Sequence, residues 1–213
     1  TIDNSVVLNR RAIAKKGKRD FDGAIDDISK AINIDPRNEK LYFNRGTVFK
    51  EMSEWGKAIT DFSVSISLDP NLAPSYFNRG VCQMALEENE KAVFDFSKAI
   101  QIGNIGPDIW YCRGLAKFNL SDYRGALLDF STFLNQSPNN PNAAKSMGDC
   151  KRKISDYVGA IKDYTLAINL DPNFGEAYLN RGILRIMLKD LNSGCLDLSK
   201  AGELGVSSAF EAI

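Results

Sequence analysis

The residue that most general-base and metal chemistry relies on is missing, because the 213-residue chain contains no histidine. Ser-His-Asp and Cys-His nucleophile pairs need an imidazole to take up a proton. Most zinc and non-haem iron sites need one as a ligand. The four cysteines, Cys82, Cys112, Cys150 and Cys195, stand 30, 38 and 45 residues apart. No CxxC pair exists, which removes zinc ribbons and thioredoxin-type redox motifs. No glycine-rich phosphate loop is present, and no carboxylate pair stands outside the repeating pattern described below. No catalytic residue, metal or cofactor is therefore expected. Lys plus Arg, 27 in all, balance 27 Asp plus Glu. A duplex nucleic-acid binder carries a positive excess that displaces counterions, so nucleic acid is not an expected partner. The local run Arg10, Arg11, Lys15, Lys16, Lys18 and Arg19 reads either as an anionic-surface contact or as a solvated first helix. The acids Asp20, Asp22, Asp26 and Asp27 follow at once and favour the helix. No apolar stretch is long enough to span a bilayer. A content of 44% hydrophobic and 25% charged residues is that of a globular chain.

The positions of these residues follow a period. Tyr42-Phe43-Asn44-Arg45-Gly46 returns as Tyr76-Phe77-Asn78-Arg79-Gly80 after 34 residues, and as Tyr178-Leu179-Asn180-Arg181-Gly182 after three further periods. Trp110-Tyr111-Cys112-Arg113-Gly114 and Ala144-Lys145-Ser146-Met147-Gly148 fill the gap. Six windows of 34 residues run without insertion over 5–38, 39–72, 73–106, 107–140, 141–174 and 175–208. The whole of 1–213 is accordingly read as a single repeat domain.

Each window shares a grammar. The eighth position is small (Ala12, Gly46, Gly80, Gly114, Gly148, Gly182), as is the twentieth (Ala24, Ala58, Ala92, Ala126, Ala160, Gly194). The twenty-fourth is bulky: Ile28, Phe62, Phe96, Phe130, Tyr164, Leu198. Small residues let two helices approach closely while the bulky one fills the space beside them. Pro36, Pro70, Pro138 and Pro172 at the thirty-second position end the second helix; Asn104 and Val206 depart.

This pattern resembles the tetratricopeptide repeat over essentially the whole chain. The resemblance implies an all-α fold, a right-handed superhelix (α-α solenoid) of six helix-turn-helix repeats. First helices, over about fourteen positions, would line a concave groove, and second helices would run from about the eighteenth to the thirty-first. The end, from Gly194 to Gly205, is similar to the final repeat of bacterial members. Ser207 to Ile213 then reads as the start of a short capping helix.

One position departs from the family's pattern. Arginine stands at the seventh position in five windows (Arg11, Arg45, Arg79, Arg113, Arg181), where most members carry leucine. Aspartate stands at the twenty-third in all six (Asp27, Asp61, Asp95, Asp129, Asp163, Asp197). An unpaired charge between helices is very costly, so a ladder of Arg–Asp pairs is predicted, against the alternative that the arginines bind a ligand. Met147 breaks it, and one aspartate must find another donor or face water. In the same region Ala144 replaces an aromatic while Phe133 replaces a small residue, which reads as an exchange of volume across one contact.

The resemblance implies that the second, fifth, sixth, ninth, twelfth and thirteenth positions face the groove. Asn44, Asn78 and Asn180 could there hydrogen-bond an extended peptide, or else cross-link adjacent helices. Phe43, Phe77, Val81, Met84, Tyr111, Leu115 and Phe118 would form an apolar partner patch if exposed, and helix packing if not. Truncating Phe77 and Tyr111 is expected to abolish binding and leave melting unchanged. The Lys and Asn set with which some members clamp acidic chaperone tails is absent; only the lone asparagines match it. Cys82 and Cys150 share an apolar tenth position and only Cys112 faces the groove. Four free thiols are expected, which favours a reducing, cytoplasmic location; the start at Thr1 leaves an exported form with a removed leader open.

The function expected is a non-enzymatic scaffold or adaptor holding a protein or peptide in its groove, favoured as a monomer. A self-assembling subunit and the regulatory part of a larger protein stand as alternatives.

Overall fold

The computed structural model describes residues 2–103 and 105–209. Asn104 and most of the expected capping helix, 210–213, lie outside the described residues. The chain divides into two compact units, Thr1–Ile109 and Trp110–Ile213. The first holds α1 (Ile2–Gly17), α2 (Phe21–Ile34), α3 (Glu39–Glu51), α4 (Trp55–Leu68), α5 (Ala73–Ala85) and α6 (Asn89–Ile102). After α7 (Asp108–Asn119), which starts at the boundary, the second holds α8 (Tyr123–Gln136), α9 (Pro141–Lys153), α10 (Tyr157–Leu170), α11 (Gly175–Met187) and α12 (Leu191–Glu203). Residues Ser207–Ala209 form one 3₁₀ turn, and no strand occurs among the described residues. None of these helices is long and apolar enough to cross a membrane. Within each unit, successive helices pack in sequence order as antiparallel hairpins.

The second helices begin and end about one residue earlier than expected because the turn before them has its own chemistry. Its middle residue is left-handed in every repeat, with φ of 60–69° at Arg19, Ser53, Glu87, Ser121, Ser155 and Lys189. The next residue caps the second helix where it is aspartate. Asp20, Asp122, Asp156 and Asp190 accept the backbone N–H of Gly23, Gly125, Gly159 and Ser193. A Cβ on any of those three glycines would collide with the capping carboxylate. Where the cap position is Glu54 or Glu88, the capping bond is lost and a lysine replaces the glycine. Lys57 then pairs with Glu54 at 3.3 Å and Lys91 with Glu88 at 2.9 Å. Cap and third residue are thus chosen together.

In the core, the small eighth residue lies against the bulky twenty-fourth. A Cβ on Gly46 or Gly80 would stand 2.8 Å from the ring of Phe62 or Phe96, and one on Gly148 2.6 Å from Tyr164. Those rings are fully buried. The fifth-position aromatics lean on them, with centroids 5.9 Å apart for Phe43–Phe62, 5.8 Å for Phe77–Phe96 and 5.5 Å for Tyr111–Phe130.

The predicted ladder is present in all five repeats that carry the arginine. Each guanidinium grips its aspartate through Nε and Nη2. The Nε–Oδ2 distances are 2.6 Å for Arg11–Asp27, 2.7 Å for Arg45–Asp61, 2.6 Å for Arg79–Asp95, 2.8 Å for Arg113–Asp129 and 2.9 Å for Arg181–Asp197. A third donor reaches the hydroxyl of the preceding repeat: Arg45 to Ser29, Arg79 to Ser63 and Arg181 to Thr165, at 3.0–3.2 Å. Tyr42, Tyr76, Trp110 and Tyr178 lie against the guanidinium carbons at 5.0–5.9 Å. The arginine therefore joins the two helices of its own hairpin and, in these three cases, the hairpin before it. The Arg11 hydrogen bond holds the Asp27 carboxyl down at about 2. None of the four cysteines is in a disulfide, and burial raises the Cys82 and Cys150 thiols to about 11 and about 12.

A Gly80→Ala substitution tests the close approach. Alanine adds up to ~1 kcal/mol of helix propensity, but overpacking against the Phe96 ring costs ~1–3 kcal/mol, so the urea midpoint should fall. Gly56, which has open space around its Cβ direction, should gain from the same change. A Gly80→Ala protein as stable as the Gly56→Ala one would contradict the packing described.

Candidate functional site

Both units present first-helix positions that could form a groove, but only one of the two faces described here is open. In the first unit polar side chains tie the helices together. Asn44 Nδ2 donates to Asn9 Oδ1 at 2.9 Å, Lys50 Nζ to Asn78 Oδ1 at 2.6 Å, and Lys16 pairs with Glu51 at 3.1 Å. The crevice beside Ile13, Lys16, Asn44 and Thr47 has a volume of only about 10 Å³. In the second unit a cleft of about 300 Å³ opens over α7, α9 and the start of α11. One wall is apolar, with Tyr111, Leu115, Phe118, Phe130 and Phe174; the other is polar, with Asn142, Lys145, Ser146, Asp149 and Glu176.

Charge is balanced closely on the polar wall. Lys145 Nζ lies 3.1 Å from both Asp149 and Glu176. Burial opposes its charge, yet Asp149 and Glu176 outweigh it and raise the ammonium above its ordinary pKa. Asp149 also accepts the Tyr164 hydroxyl at 2.7 Å and the Asn180 amide at 3.4 Å. Burial, reinforced by Asp149, pushes the Tyr164 phenol upward. Asp149 is thus held from three sides, whereas Glu176, 61% exposed, is the one carboxylate of this wall with room to take a new partner.

Tyr111, Leu115 and Phe118 from the sequence reading line this cleft, half-buried. Phe43, Phe77, Val81, Met84 and Leu179 are half-buried as well, and none lines this cleft or the small crevice of the first unit. The three asparagines cross-link adjacent first helices: Asn44 and Asn180 as above, while Asn78, 8% exposed, also donates to Pro74 O at 2.8 Å. One expectation is overturned. Phe77 and Tyr111 rest on the buried rings of Phe96 and Phe130, so their truncation would lower stability along with any binding. Asn142, Lys145, Ser146, Asp149 and Glu176 were missed. Their signal was the polarity of the fifth and ninth positions in the fifth window, Lys145 and Asp149, where other windows carry mostly apolar residues.

Comparison with known proteins follows the same lines. The tetratricopeptide repeat family model matches residues 73–102, within the third repeat. With twelve helices in the phase of six such repeats, this decides the identity of the fold. The chain has the tetratricopeptide repeat fold. No curated protein matches it in sequence. Among solved structures, it is similar to YrrB, described as a tetratricopeptide repeat protein with an unusual peptide-binding site, with a TM-score of 0.79 and 21% identity over 87% of this chain and 96% of that one. It is also similar to PilF of Pseudomonas aeruginosa (TM-score 0.77, 19% identity, 98% and 96% covered) and to MamA of Desulfovibrio magneticus RS-1 (0.74, 18%, 78% and 94%).

The fifth tetratricopeptide repeat, which supplies the polar wall, is also where the arginine ladder is interrupted. Met147 replaces the arginine, and Asp163 pairs instead with Lys151 at 2.7 Å. Burial raises the Asp163 carboxyl above its ordinary value, against the pull of Lys151. Phe133 and Ala144 are both buried, and Phe133 stacks obliquely on Tyr111 with centroids 5.3 Å apart. Tyr111 is thereby held between Phe130 and Phe133, which fixes the apolar wall.

A Met147→Arg substitution should restore the ladder. In the wild type Asp163 is protonated more readily folded than unfolded, so its contribution to stability falls as pH rises above about 3.9 through the raised value. With arginine present the carboxyl should titrate lower than in the wild type, and more of its contribution should be retained at neutral pH. Carboxyl ¹³C NMR titration and thermal melting at pH 7 check both. An unmoved titration, or a lower melting point, would contradict this account of the fifth repeat.

Proposed function

We propose that this chain binds an extended segment of a partner protein in the cleft of the second unit, with no carboxylate clamp. Tetratricopeptide repeat proteins are generally non-enzymatic scaffolds for protein–protein interaction, and this chain has their fold. The observation that carries this reading is the about 300 Å³ opening at groove positions of the fourth, fifth and sixth repeats. Its walls differ in kind. Leu115 and Phe118 can desolvate an apolar side chain, while Asn142, Ser146 and Glu176 offer hydrogen-bonding groups beside it. The rigid setting of Tyr111 and of Asp149 lowers the ordering cost on the receptor side. The unusual peptide-binding site of YrrB lends support by analogy of fold. Among the described residues, no cluster of His, Cys, Asp and Glu is arranged to hold a metal ion.

The test fills the cleft without removing core packing. Peptides selected from a random display library on the wild-type protein should lose about tenfold or more in affinity on Ser146→Arg or Asn142→Trp, with the melting temperature nearly unchanged. Peptides that bind both variants as well as the wild type would move the site elsewhere.

A further inference from the structure

Four arginines of this molecule are received in one way, with a carboxylate at the edge of the guanidinium and an aromatic ring against its face. Arg45 has Asp61 and Tyr42, and Arg79 has Asp95 and Tyr76. Arg113 has Asp129 and Trp110, and Arg181 has Asp197 and Tyr178. The carboxylate takes two parallel N–H bonds, and the electron-rich face of the ring attracts the delocalised charge. The cleft of the second unit brings the same two kinds of group to one opening. The rings of Tyr111, Phe118 and Phe174 and the carboxylate of Glu176 all line it, and no arginine does.

The charges around the opening decide the sign of the ligand. Asp149 and Glu176 line it against Lys145 alone. Asp149 has further support outside the lining: Arg152 lies 3.9 Å away, and the Tyr164 hydroxyl donates to it at 2.7 Å. Lys145 is divided between the two carboxylates, and its side chain is only 24% exposed. A ligand anion would have to displace one of them and leave a carboxylate unpaired beside it. Glu176 has a single ion-pair partner among the described residues, Lys145, and shares it. Its exposure belongs to its place in the repeat. The second position is exposed at Lys40, Asp108 and Asn142 as well, so the opening does not arise from Glu176 standing in the sixth window.

We infer that the segment bound in this cleft presents an arginine, and that Glu176 is the residue that selects it; the inference rests on the cleft being the peptide site. The guanidinium donates to the Glu176 carboxylate and lays its face on a ring of the apolar wall, as the internal arginines do. Its methylene stem covers Leu115 and Phe118. Lysine carries a compact, strongly hydrated charge with no planar face, and it matches this pair of walls less well. A neutral side chain leaves Glu176 with a shared cation only, and an acidic one is repelled by it. The family's clamp for acidic tails is thus reversed in sign here: the wall offers a carboxylate and the ligand brings the cation.

The probe is a random peptide display library selected on the full chain, with the winning peptides resynthesised and titrated by fluorescence anisotropy. Winners that Ser146→Arg displaces should share an arginine. Replacing it with citrulline, its neutral isostere, should weaken binding to the wild type about tenfold or more. The same replacement should matter far less on Glu176→Gln, whose melting temperature should match the wild type because the carboxylate is exposed. Selection on Glu176→Lys should turn toward peptides with Asp or Glu. Cleft-dependent winners without an arginine, or a citrulline loss of equal size on both proteins, would overturn the arginine assignment and leave the cleft as the peptide site. Winners indifferent to Ser146→Arg, or a selection that yields none, would overturn both.

Discussion

Within each of five repeats, a guanidinium lies between two helices with both oxygens of a buried aspartate in its grip, and the rest of the hairpin is arranged around that pair. A bidentate contact has one good geometry, so it sets both the separation and the register of the helices. The pair is buried enough that loss of either partner would strand a charge. Its neighbours serve the same spacing. The small eighth residue admits the ring at the twenty-fourth position, and an aromatic at the fourth lies against the guanidinium. Because the arginines at positions 45, 79 and 181 also reach a hydroxyl of the repeat before, the same side chain makes a hairpin and attaches it to its neighbour.

The fifth repeat shows what changes when that side chain is absent. Met147 makes no ion pair, Lys151 takes over Asp163, and bulk is redistributed, with Phe133 large where other windows are small and Ala144 small where they are aromatic. Tyr164 carries a hydroxyl that Phe62, Phe96 and Phe130 lack, and that hydroxyl holds Asp149 on the wall of the cleft. The departures from the repeat grammar therefore coincide with the open cleft, whereas the regular second repeat is closed by its own asparagine and lysine contacts. Specialised binding on a repeat scaffold is expected where the pattern is locally broken.

Much of this was legible in the residues. A period of 34 with small, bulky and proline positions in phase carries the helix pairs, because close packing and helix termination admit few residue types at those places. The Arg–Asp ladder was readable for the same reason: a charge between helices demands its opposite. Other features were harder to see. The hydroxyls at Ser29, Ser63 and Thr165 look like ordinary surface serines and threonine until a donor is placed beside them. Whether Asn44 and Asn78 face a ligand or a neighbour depends on a rotamer that composition does not encode. The cleft depends on Lys145, Asp149 and Glu176 meeting across two repeats, and the sequence reading had sought an apolar patch there. Phe77 and Tyr111, expected at the groove, also complete the core with their rings.

The most direct test of the central claim is a double-mutant cycle on Arg79 and Asp95 by urea denaturation, with Arg79→Leu, Asp95→Ala and the pair together. If the bidentate contact sets the hairpin, each single change should cost about 3–5 kcal/mol and the double change far less than their sum. The coupling should be on the order of 2 kcal/mol or more. A coupling below about 0.5 kcal/mol, the size of an exposed ion pair, would show that the hairpins are held by apolar packing alone.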